Sequence, residues 1–195
     1  MLQINHIEIM RKIGDRPIAL YGLAGNPPHR GHWACVRNLA AEGYFVLVAP
    51  SFAHAFGKRM APFDLRMRWL REAGEEFGAL GDNAEVWEEE RVVAREIAEG
   101  QPIYSIDMLA RAQKIFGRAP RLAVGPDNMD PEVFKRFRES ARIAAEFGLA
   151  PLAEAENTRS TQIREALASG CADAFLSERV GRRIAPSVAE FFARK

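Results

Sequence analysis

Two histidines that lie three residues apart are the pair best suited to chemistry in this chain. His29 and His32 belong to the segment Gly22-Leu-Ala-Gly-Asn-Pro-Pro-His-Arg-Gly-His32, which follows an apolar run and precedes a helical pattern. Backbone N–H groups at the start of a helix attract anions, and imidazoles beside them add donors for a phosphoryl oxygen. The segment therefore indicates phosphate chemistry. A structural turn and a metal site remain alternatives, although no cysteine or carboxylate accompanies the pair at ligand spacing.

Composition limits the class of protein. The chain has 195 residues, 48% hydrophobic and 27% charged, which is typical of one soluble globular domain. A net charge of +1 gives no general attraction to nucleic acid or to a membrane surface, so neither is expected as a partner. Cys35 and Cys171 form no C-x-x-C motif, and no apolar run reaches the roughly 20 residues that span a bilayer. The N-terminus also lacks a signal-peptide core, so we expect a cytoplasmic protein.

Short apolar runs alternate with helical patterns along the chain. This alternation predicts an α/β fold, a Rossmann-like, doubly wound parallel sheet in a single domain. Strands are expected at residues 18–23, 44–49, 84–88, 121–124 and 142–147, and helices at residues 33–42, 62–77, 103–116, 131–137, 161–169 and 186–194. Residues 1–16 are expected to form an N-terminal extension, with a short helix, to a nucleotidyltransferase domain at residues 17–195. Residues 77–83 and 157–160 have the composition of loops.

Polar and cationic side chains follow several of the predicted strands. Beyond the histidine segment they comprise His54, Lys58 and Arg59, then Gly125-Pro-Asp-Asn128, and late in the chain Asn157-Thr-Arg-Ser-Thr-Gln-Ile-Arg164. In open parallel sheets, ligands bind beyond the carboxyl ends of the strands. Cations and hydroxyl groups at a helix start suit phosphate, so this edge of the sheet is predicted to bind a nucleotide.

With these segments identified, the chain resembles the nicotinate/nicotinamide mononucleotide adenylyltransferases of the nucleotidyltransferase α/β-phosphodiesterase superfamily. The first signature of that family, G-x-F-D-P-x-H-x-G-H, is matched except that Gly25 and Asn26 replace its Phe and Asp. The other motifs follow in order: Lys58 and Arg66, Tyr104-Ser-Ile-Asp-Met-Leu109, Gly125-Pro-Asp127, Phe134 and Phe137, Thr158-Arg-Ser-Thr-Gln-Ile-Arg164, and Ala185-Pro-Ser-Val-Ala-Glu-Phe191. Arg159 replaces the usual first Ser, and the two Phe residues replace Trp. The resemblance covers roughly residues 17–192.

The resemblance implies transfer of AMP from ATP to a pyridine mononucleotide, giving pyrophosphate and a dinucleotide in NAD biosynthesis. Ser105, with Lys135 and Arg136 between Phe134 and Phe137 in the sequence, favours nicotinate mononucleotide as the acceptor, and use of nicotinamide mononucleotide as well is the alternative. It assigns catalysis to His29 and His32. It assigns ATP binding to Gly22, Leu23, Gly31, Lys58, Gly125, Asp127, Ser160, Thr161 and Arg164, and binding of the pyridine substrate to Tyr104, Ser105, Phe134 and Phe137. Mg²⁺ would be bound through the ATP phosphates with few protein ligands, and no residue is assigned as a metal ligand. The oligomeric state, monomer or homo-oligomer, is left open.

Four other classes of protein share some of these sequence features. Within the superfamily the alternatives are another adenylyltransferase or cytidylyltransferase; phosphopantetheine adenylyltransferase, for example, usually has Thr where His29 stands. A non-catalytic nucleotide-binding regulator is a further alternative, against which the histidine pair and Arg164 argue. An NAD-dependent dehydrogenase is disfavoured because no G-x-G-x-x-G follows the first predicted strand. Class I aminoacyl-tRNA synthetases need more domains than 195 residues supply.

Several other residues are interpreted as structural. Trp33, Trp69 and Trp87 are expected to pack in the core. The charge run Glu88-Glu-Glu-Arg91 is interpreted as a solvated strand end, and His6 as a surface residue.

Overall fold

A parallel sheet of five strands forms the centre of the molecule. The computed structural model describes residues 2–52, 60–98, 100–152, 161–163, 165 and 186–192. Within them the strands are β1 (Ile18–Leu23), β2 (Phe45–Pro50), β3 (Ala84–Val86), β4 (Arg121–Val124) and β5 (Leu149–Pro151). Their order in the sheet is β3-β2-β1-β4-β5, and every pairing is parallel. The predicted α/β fold is therefore confirmed.

The strands are apolar because both faces of the sheet are covered. All six residues of β2 are buried. In β1, successive residues point to opposite faces: Ala19 and Tyr21 join one hydrophobic cluster, whereas Ile18 and Leu20 join the other. Trp33 and Trp69 pack in the first cluster and Trp87 in the second, so the predicted core role of the three tryptophans is confirmed.

Helices cover the two faces of the sheet. The longer ones are α1 (Leu2–Ile13), α2 (Arg30–Ala41), α3 (Phe63–Glu76), α4 (Glu89–Glu96) and α5 (Ser105–Phe116), and the short ones are α6 (Pro126–Met129), α7 (Pro131–Phe134) and α8 (Ser140–Arg142). Residues 161–163, 165 and 186–192 are also helical. None of the helices in this described part of the chain is long and apolar enough to cross a membrane. Helix α1 packs on the core through Ile9 and Ile13.

The strand predicted at residues 142–147 is wrong. Ile143–Phe147 form a π-helical turn that continues α8, and β5 begins only at Leu149. Ile143 and Phe147 are both buried, whereas Arg142 pairs with Glu146 at a distance of 3.0 Å. Both pairs are separated by four residues, which places each on one side of a helix. Gly148, with φ 73°, then ends the helix and redirects the chain into the strand.

The interpretation of Glu88–Arg91 as a solvated strand end is also wrong. β3 ends at Val86, and Glu88 is the N-cap of a helix, α4, which the sequence analysis missed. Glu89 and Glu90 are 2% and 7% exposed. Glu89 accepts a hydrogen bond from Arg111 and is 2.9 Å from Nε2 of His6, so His6 is not the surface residue that was expected. Local composition could not reveal these partners, because they come from α5 and α1.

The order of the strands places one crevice at the centre of the sheet. β2 and β3 lie on one side of β1, whereas β4 and β5 lie on the other. The connections therefore reverse direction between β1 and β4, and this switch point is where open α/β sheets bind ligands. The histidine segment leaves β1 at that point, and Gly125 leaves β4 beside it.

Candidate active site at the carboxyl edge of the sheet

The histidine segment connects the central strand to the start of α2. Residues 25–29 are buried, and His29 is the N-cap, with an extended backbone (φ −146°, ψ 171°). Gly31 and His32 lie in the first turn of α2. The segment thus brings two imidazoles to a helix N-terminus, where backbone N–H groups have no partner within the helix.

The two imidazoles are stacked. Their ring centroids are 3.6 Å apart and their planes are inclined by 29°. The backbone N–H of His29 donates to Nδ1 of His32 over 3.1 Å. Because Nδ1 accepts this bond, the neutral ring of His32 carries its proton on Nε2. His32 therefore has one nitrogen that caps the helix and one N–H available to a ligand.

Burial keeps both histidines neutral. Desolvation lowers the pKa of His29 to about 4. Burial, and secondly the charge of His29, lowers the pKa of His32 well below its usual value. Nδ1 of His29 is buried and has no hydrogen-bond partner among the described residues. A buried polar atom without a partner costs about 1–3 kcal/mol. The His29 side chain faces the backbone N–H of His32 in the first turn of α2.

Arg66 of α3 ties the strand ends together beneath this segment. It is 1% exposed and donates to four backbone carbonyls: Ala24 at 2.7 Å, Ser51 at 2.7 Å, Ala61 at 2.9 Å and Phe52 at 3.3 Å. Burial lowers its pKa to about 10, opposed by the charge of Glu90, so the guanidinium stays charged at neutral pH. The backbone N–H of Ala61 in turn donates to Oδ1 of Asn26 over 3.0 Å. Motif matching located Arg66, but its partners are revealed by the structure.

Glu90 is a residue of the site edge that sequence reasoning missed. Its Oε2 accepts from the backbone N–H of Phe52 over 2.7 Å, just beyond the carboxyl end of β2. Burial raises the pKa of Glu90 to about 7, while the Phe52 N–H and the charge of Arg66 act in the opposite direction. The spacing of Glu90, Val93 and Ala94 in the sequence is helical and places Glu90 on the same side of a helix as two apolar residues. This pattern could have indicated that Glu90 is buried.

Of the residues predicted to bind the pyridine, Tyr104 and Ser105 lie at the start of α5, and Phe134 and Phe137 lie at and after the end of α7. Tyr104 is the N-cap of that helix, and its backbone N–H donates to Oδ2 of Asp107 over 2.9 Å. Tyr104, Phe134 and Phe137 pack against the same hydrophobic cluster, and the two phenyl rings are 5.3 Å apart. The guanidinium carbon of Arg138 lies 4.7 Å from the centre of the Tyr104 ring. This cation was not among the predicted site residues.

The residues predicted to bind ATP are only partly described. Leu23 is buried at the end of β1, and Gly22 is exposed with no atom within 4 Å of the place where a Cβ would lie. Gly125 is the N-cap of α6, where Asp127 is exposed, and Thr161 is an exposed helical residue. Lys58, Ser160 and Arg164 lie outside the described residues, as do His54, Arg59 and Cys171. Cys35 is a free, half-buried cysteine.

This chain has relatives of similar sequence. No protein-family model matches it. It is 31% identical over 171 residues to a probable nicotinate-nucleotide adenylyltransferase of Anaeromyxobacter dehalogenans strain 2CP-C, covering 80% of this chain and 87% of the relative. A protein of the same description from a Nitratiruptor species is 26% identical over 118 residues, covering 57% of this chain and 60% of the relative.

The fold has solved counterparts as well. The structure of Plasmodium falciparum nicotinic acid mononucleotide adenylyltransferase complexed with NaAD superposes with a TM-score of 0.70 at 9% identity, covering 92% of this chain and 98% of that one. Such a low identity supports the fold alone, whereas the curated relative from Anaeromyxobacter matches in sequence over most of both chains. The predicted family is thereby confirmed: the chain belongs to the nicotinate-nucleotide adenylyltransferase family.

Proposed function

We propose that the protein transfers the AMP moiety of ATP to nicotinate mononucleotide and releases pyrophosphate. The observation that carries this proposal is the stacked pair His29 and His32 at the start of α2, beside the switch point of the sheet. Membership of the adenylyltransferase family supports the same reaction. The product is a dinucleotide, which places the reaction in NAD biosynthesis.

The reaction needs positioning and charge stabilisation rather than a protein nucleophile. A phosphate oxygen of the mononucleotide attacks the α-phosphorus of ATP, a new P–O bond forms, and the bond to the leaving pyrophosphate breaks. A phosphate dianion has no proton to lose, so no general base is required. The N–H of His32 Nε2 and a protonated nitrogen of His29 would donate to the α-phosphoryl oxygens as negative charge builds up. Neutral imidazoles do this without proton transfer, which suits their lowered pKa values.

The glycines around the histidines leave space for the remainder of the ATP molecule. Gly22 leaves the end of β1 open to a ligand, since nothing lies where its side chain would be. Gly31 keeps the first turn of α2 free of a side chain. Gly125, Asp127 and Thr161 would bind ATP from the neighbouring strand end and the late helix. The roles of Lys58, Ser160 and Arg164 on the β- and γ-phosphates stay predictions from the family resemblance.

Mg²⁺ fits this set of residues as an ion bound through ATP. It prefers oxygen ligands and retains several waters, so one carboxylate with substrate phosphates is sufficient. Asp127, exposed after β4, is the single carboxylate among the proposed ATP-binding residues. The described residues contain no cluster of three or more His, Cys, Asp or Glu side chains that could hold a metal ion. When bound, the ion would neutralise charge on the phosphate oxygens.

Nicotinate is the pyridine that this chemistry favours. Its carboxylate needs donors and positive charge, whereas nicotinamide also needs an acceptor. The backbone N–H of Tyr104 donates to Asp107, so the Ser105 hydroxyl and the Arg138 guanidinium beside Tyr104 would supply the donor and the positive charge for the carboxylate. Phe134 and Phe137 supply aromatic surface.

The reaction is tested by measuring pyrophosphate release with ATP and single acceptors. Nicotinate mononucleotide, nicotinamide mononucleotide and phosphopantetheine are compared at one ATP concentration. We expect the highest kcat/KM with nicotinate mononucleotide. Preference for the amide would overturn the choice of pyridine alone. Turnover of phosphopantetheine, or nucleotide binding without any turnover, would overturn the proposed reaction. The cytoplasmic location stays a prediction, and the oligomeric state stays open.

A further inference from the structure

A single peptide unit beyond β2 is held from both sides by charged side chains. The N–H of the Ser51–Phe52 peptide donates to Glu90 over 2.7 Å, and its C=O, that of Ser51, accepts from Arg66 over 2.7 Å. The N–H and C=O of a trans peptide point in opposite directions. Glu90 and Arg66 therefore approach from opposite sides and act on the same peptide without a direct ion pair.

The same arginine reaches the histidine segment. Besides Ser51, Arg66 donates to the carbonyl of Ala24, one residue beyond the end of β1. Glu90, the Ser51–Phe52 peptide, Arg66 and Ala24 thus form a continuous hydrogen-bonded series. It joins the ends of β2 and β1 at the edge where the nucleotide is proposed to bind, and it involves none of the side chains proposed to touch ATP.

Burying the charged groups of Glu90 and Arg66 costs free energy, and a gain in folding stability does not account for their presence in the core. Glu90 is 7% exposed and Arg66 is 1% exposed. Buried charges carry large desolvation penalties, and apolar side chains of similar volume often give equal or greater stability. What a charged pair adds is fixed direction, because charge-assisted hydrogen bonds are shorter and stronger than neutral ones. Reactions that depend on positioning benefit from such fixed geometry.

We propose that Glu90 is a positioning residue for adenylyl transfer, which fixes the Ser51–Phe52 peptide and, through Arg66, the backbone of the histidine segment. This inference rests on the proposed function. Glu90 does not touch the substrates; it acts through Phe52, Ser51 and Arg66. Its neighbour Glu89 is also buried but pairs with Arg111 of α5 and His6 of α1 instead.

The protonation of Glu90 is the change that would alter turnover near neutral pH. Burial raises the pKa of Glu90 to about 7. Arg66 of α3 is the charged group among the described residues whose field acts on Glu90, while Glu88 and Arg91 of α4 pair with Arg71 and Asp64. The pKa values of His29 and His32 lie lower, so neither histidine titrates in the same range.

The test compares Glu90→Gln, Glu90→Ala and the matched control Glu89→Gln. Pyrophosphate release is measured across about pH 5.5–8.5, with melting temperatures for each variant. The wild type should lose kcat as the pH falls below about 7. In Glu90→Gln the amide oxygen still accepts from Phe52, so the fold remains while that acid limb disappears. Glu90→Ala should lower kcat by about 10²-fold with little change in the KM of ATP. Glu89→Gln should lower the melting temperature and retain the acid limb.

Hydrogen exchange separates failure of this inference from failure of the proposed function. The Phe52 amide should exchange at least about 10-fold faster in Glu90→Ala than in Glu89→Gln. If the wild type shows no adenylyl transfer but its Phe52 amide exchanges slowly, the proposed reaction is overturned, whereas the fixing of the Ser51–Phe52 peptide by Glu90 is not. An active wild type whose pH profile is unchanged in Glu90→Gln, or is altered equally by Glu89→Gln, would overturn the positioning role of Glu90.

Discussion

At the scale of single residues, the site depends on neutral donors held in a fixed arrangement. Stacking at 3.6 Å and the bond from the His29 N–H to His32 leave each imidazole little freedom. A charged pair at this separation would repel itself, and burial removes the charge instead. Pre-organised N–H donors need no rearrangement as charge develops on a phosphoryl oxygen.

His32→Ala should lower kcat by at least about 10²-fold, the scale of losing one transition-state donor. It also removes the acceptor for the His29 N–H, which costs about 1 kcal/mol of stability. His32→Asn is the matching variant, since its side-chain oxygen can accept that bond but its shorter side chain cannot take the place of Nε2–H. Steady-state kinetics and urea unfolding should show restored stability and unrestored turnover in His32→Asn. Near-normal kcat in both variants would contradict the catalytic role.

Arg138→Met should reduce the preference for nicotinate over nicotinamide mononucleotide. The guanidinium at Tyr104 offers positive charge to a carboxylate, and methionine keeps bulk while removing the charge. We expect a loss of about 10-fold in the ratio of the two kcat/KM values, near the scale of one charge-assisted hydrogen bond. Arg136→Met is the control, because Arg136 is exposed two residues earlier in the chain and lies over no ring of the described residues. An equal loss in both variants would show that positive charge anywhere in this region has the same effect, and it would contradict a specific role of Arg138.

At the scale of elements, Trp33 of α2 reaches α3 at Gly74, directly after the histidine segment in the sequence. Trp33, one residue after His32, is buried in the hydrophobic core. Gly74 of α3 makes room for it: a Cβ there would lie 2.9 Å from the Trp33 ring and 2.5 Å from the Leu80 side chain. Distances this short force neighbouring atoms to move.

Gly74→Ala should therefore destabilise the protein by about 1–3 kcal/mol, the usual cost of overpacking. Helix propensity alone predicts the opposite, a gain of about 1 kcal/mol, so the sign of the change decides which effect wins. Urea unfolding measures it. In a Leu80→Ala background, which removes the contacts at 2.5 Å but not the one to Trp33 at 2.9 Å, the penalty should become smaller without disappearing. A stabilising effect of Gly74→Ala in the wild-type background would contradict the packing described for this site.

At the scale of the whole molecule, two buried groups with pKa shifts of opposite sign, His29 and Glu90, affect how stability depends on pH. The pKa of His29 falls from 6.5 to about 4, so the unfolded chain binds more protons between these values and stability is lost as the pH falls through them. The pKa of Glu90 rises from 4.5 to about 7, so the folded chain binds more protons and stability is lost as the pH rises through that range. The two contributions oppose each other over the shared range.

Glu90→Gln should accordingly gain stability relative to the wild type as the pH rises from 4.5 to about 7, and the difference should then level off. His29→Asn should show the reverse, gaining relative stability as the pH falls from 6.5 towards about 4. Free energies of unfolding from urea titrations at a series of pH values measure both. A difference from the wild type that does not change with pH would contradict the burial of the substituted group.

The sequence determined the family and most of the architecture, because strand, Gly/Pro segment and helix start are local patterns repeated in order. It located the histidine pair, the aromatic pair and the strand ends. It failed at residues 142–147 and at α4, where an apolar stretch and a run of charges each fit more than one element. Only the tertiary structure decided that Glu90 and Arg66 hold one peptide, and that Arg138 lies over Tyr104. The physical reason is that burial and hydrogen-bond partners depend on residues far apart in the chain, which the folded packing alone brings together.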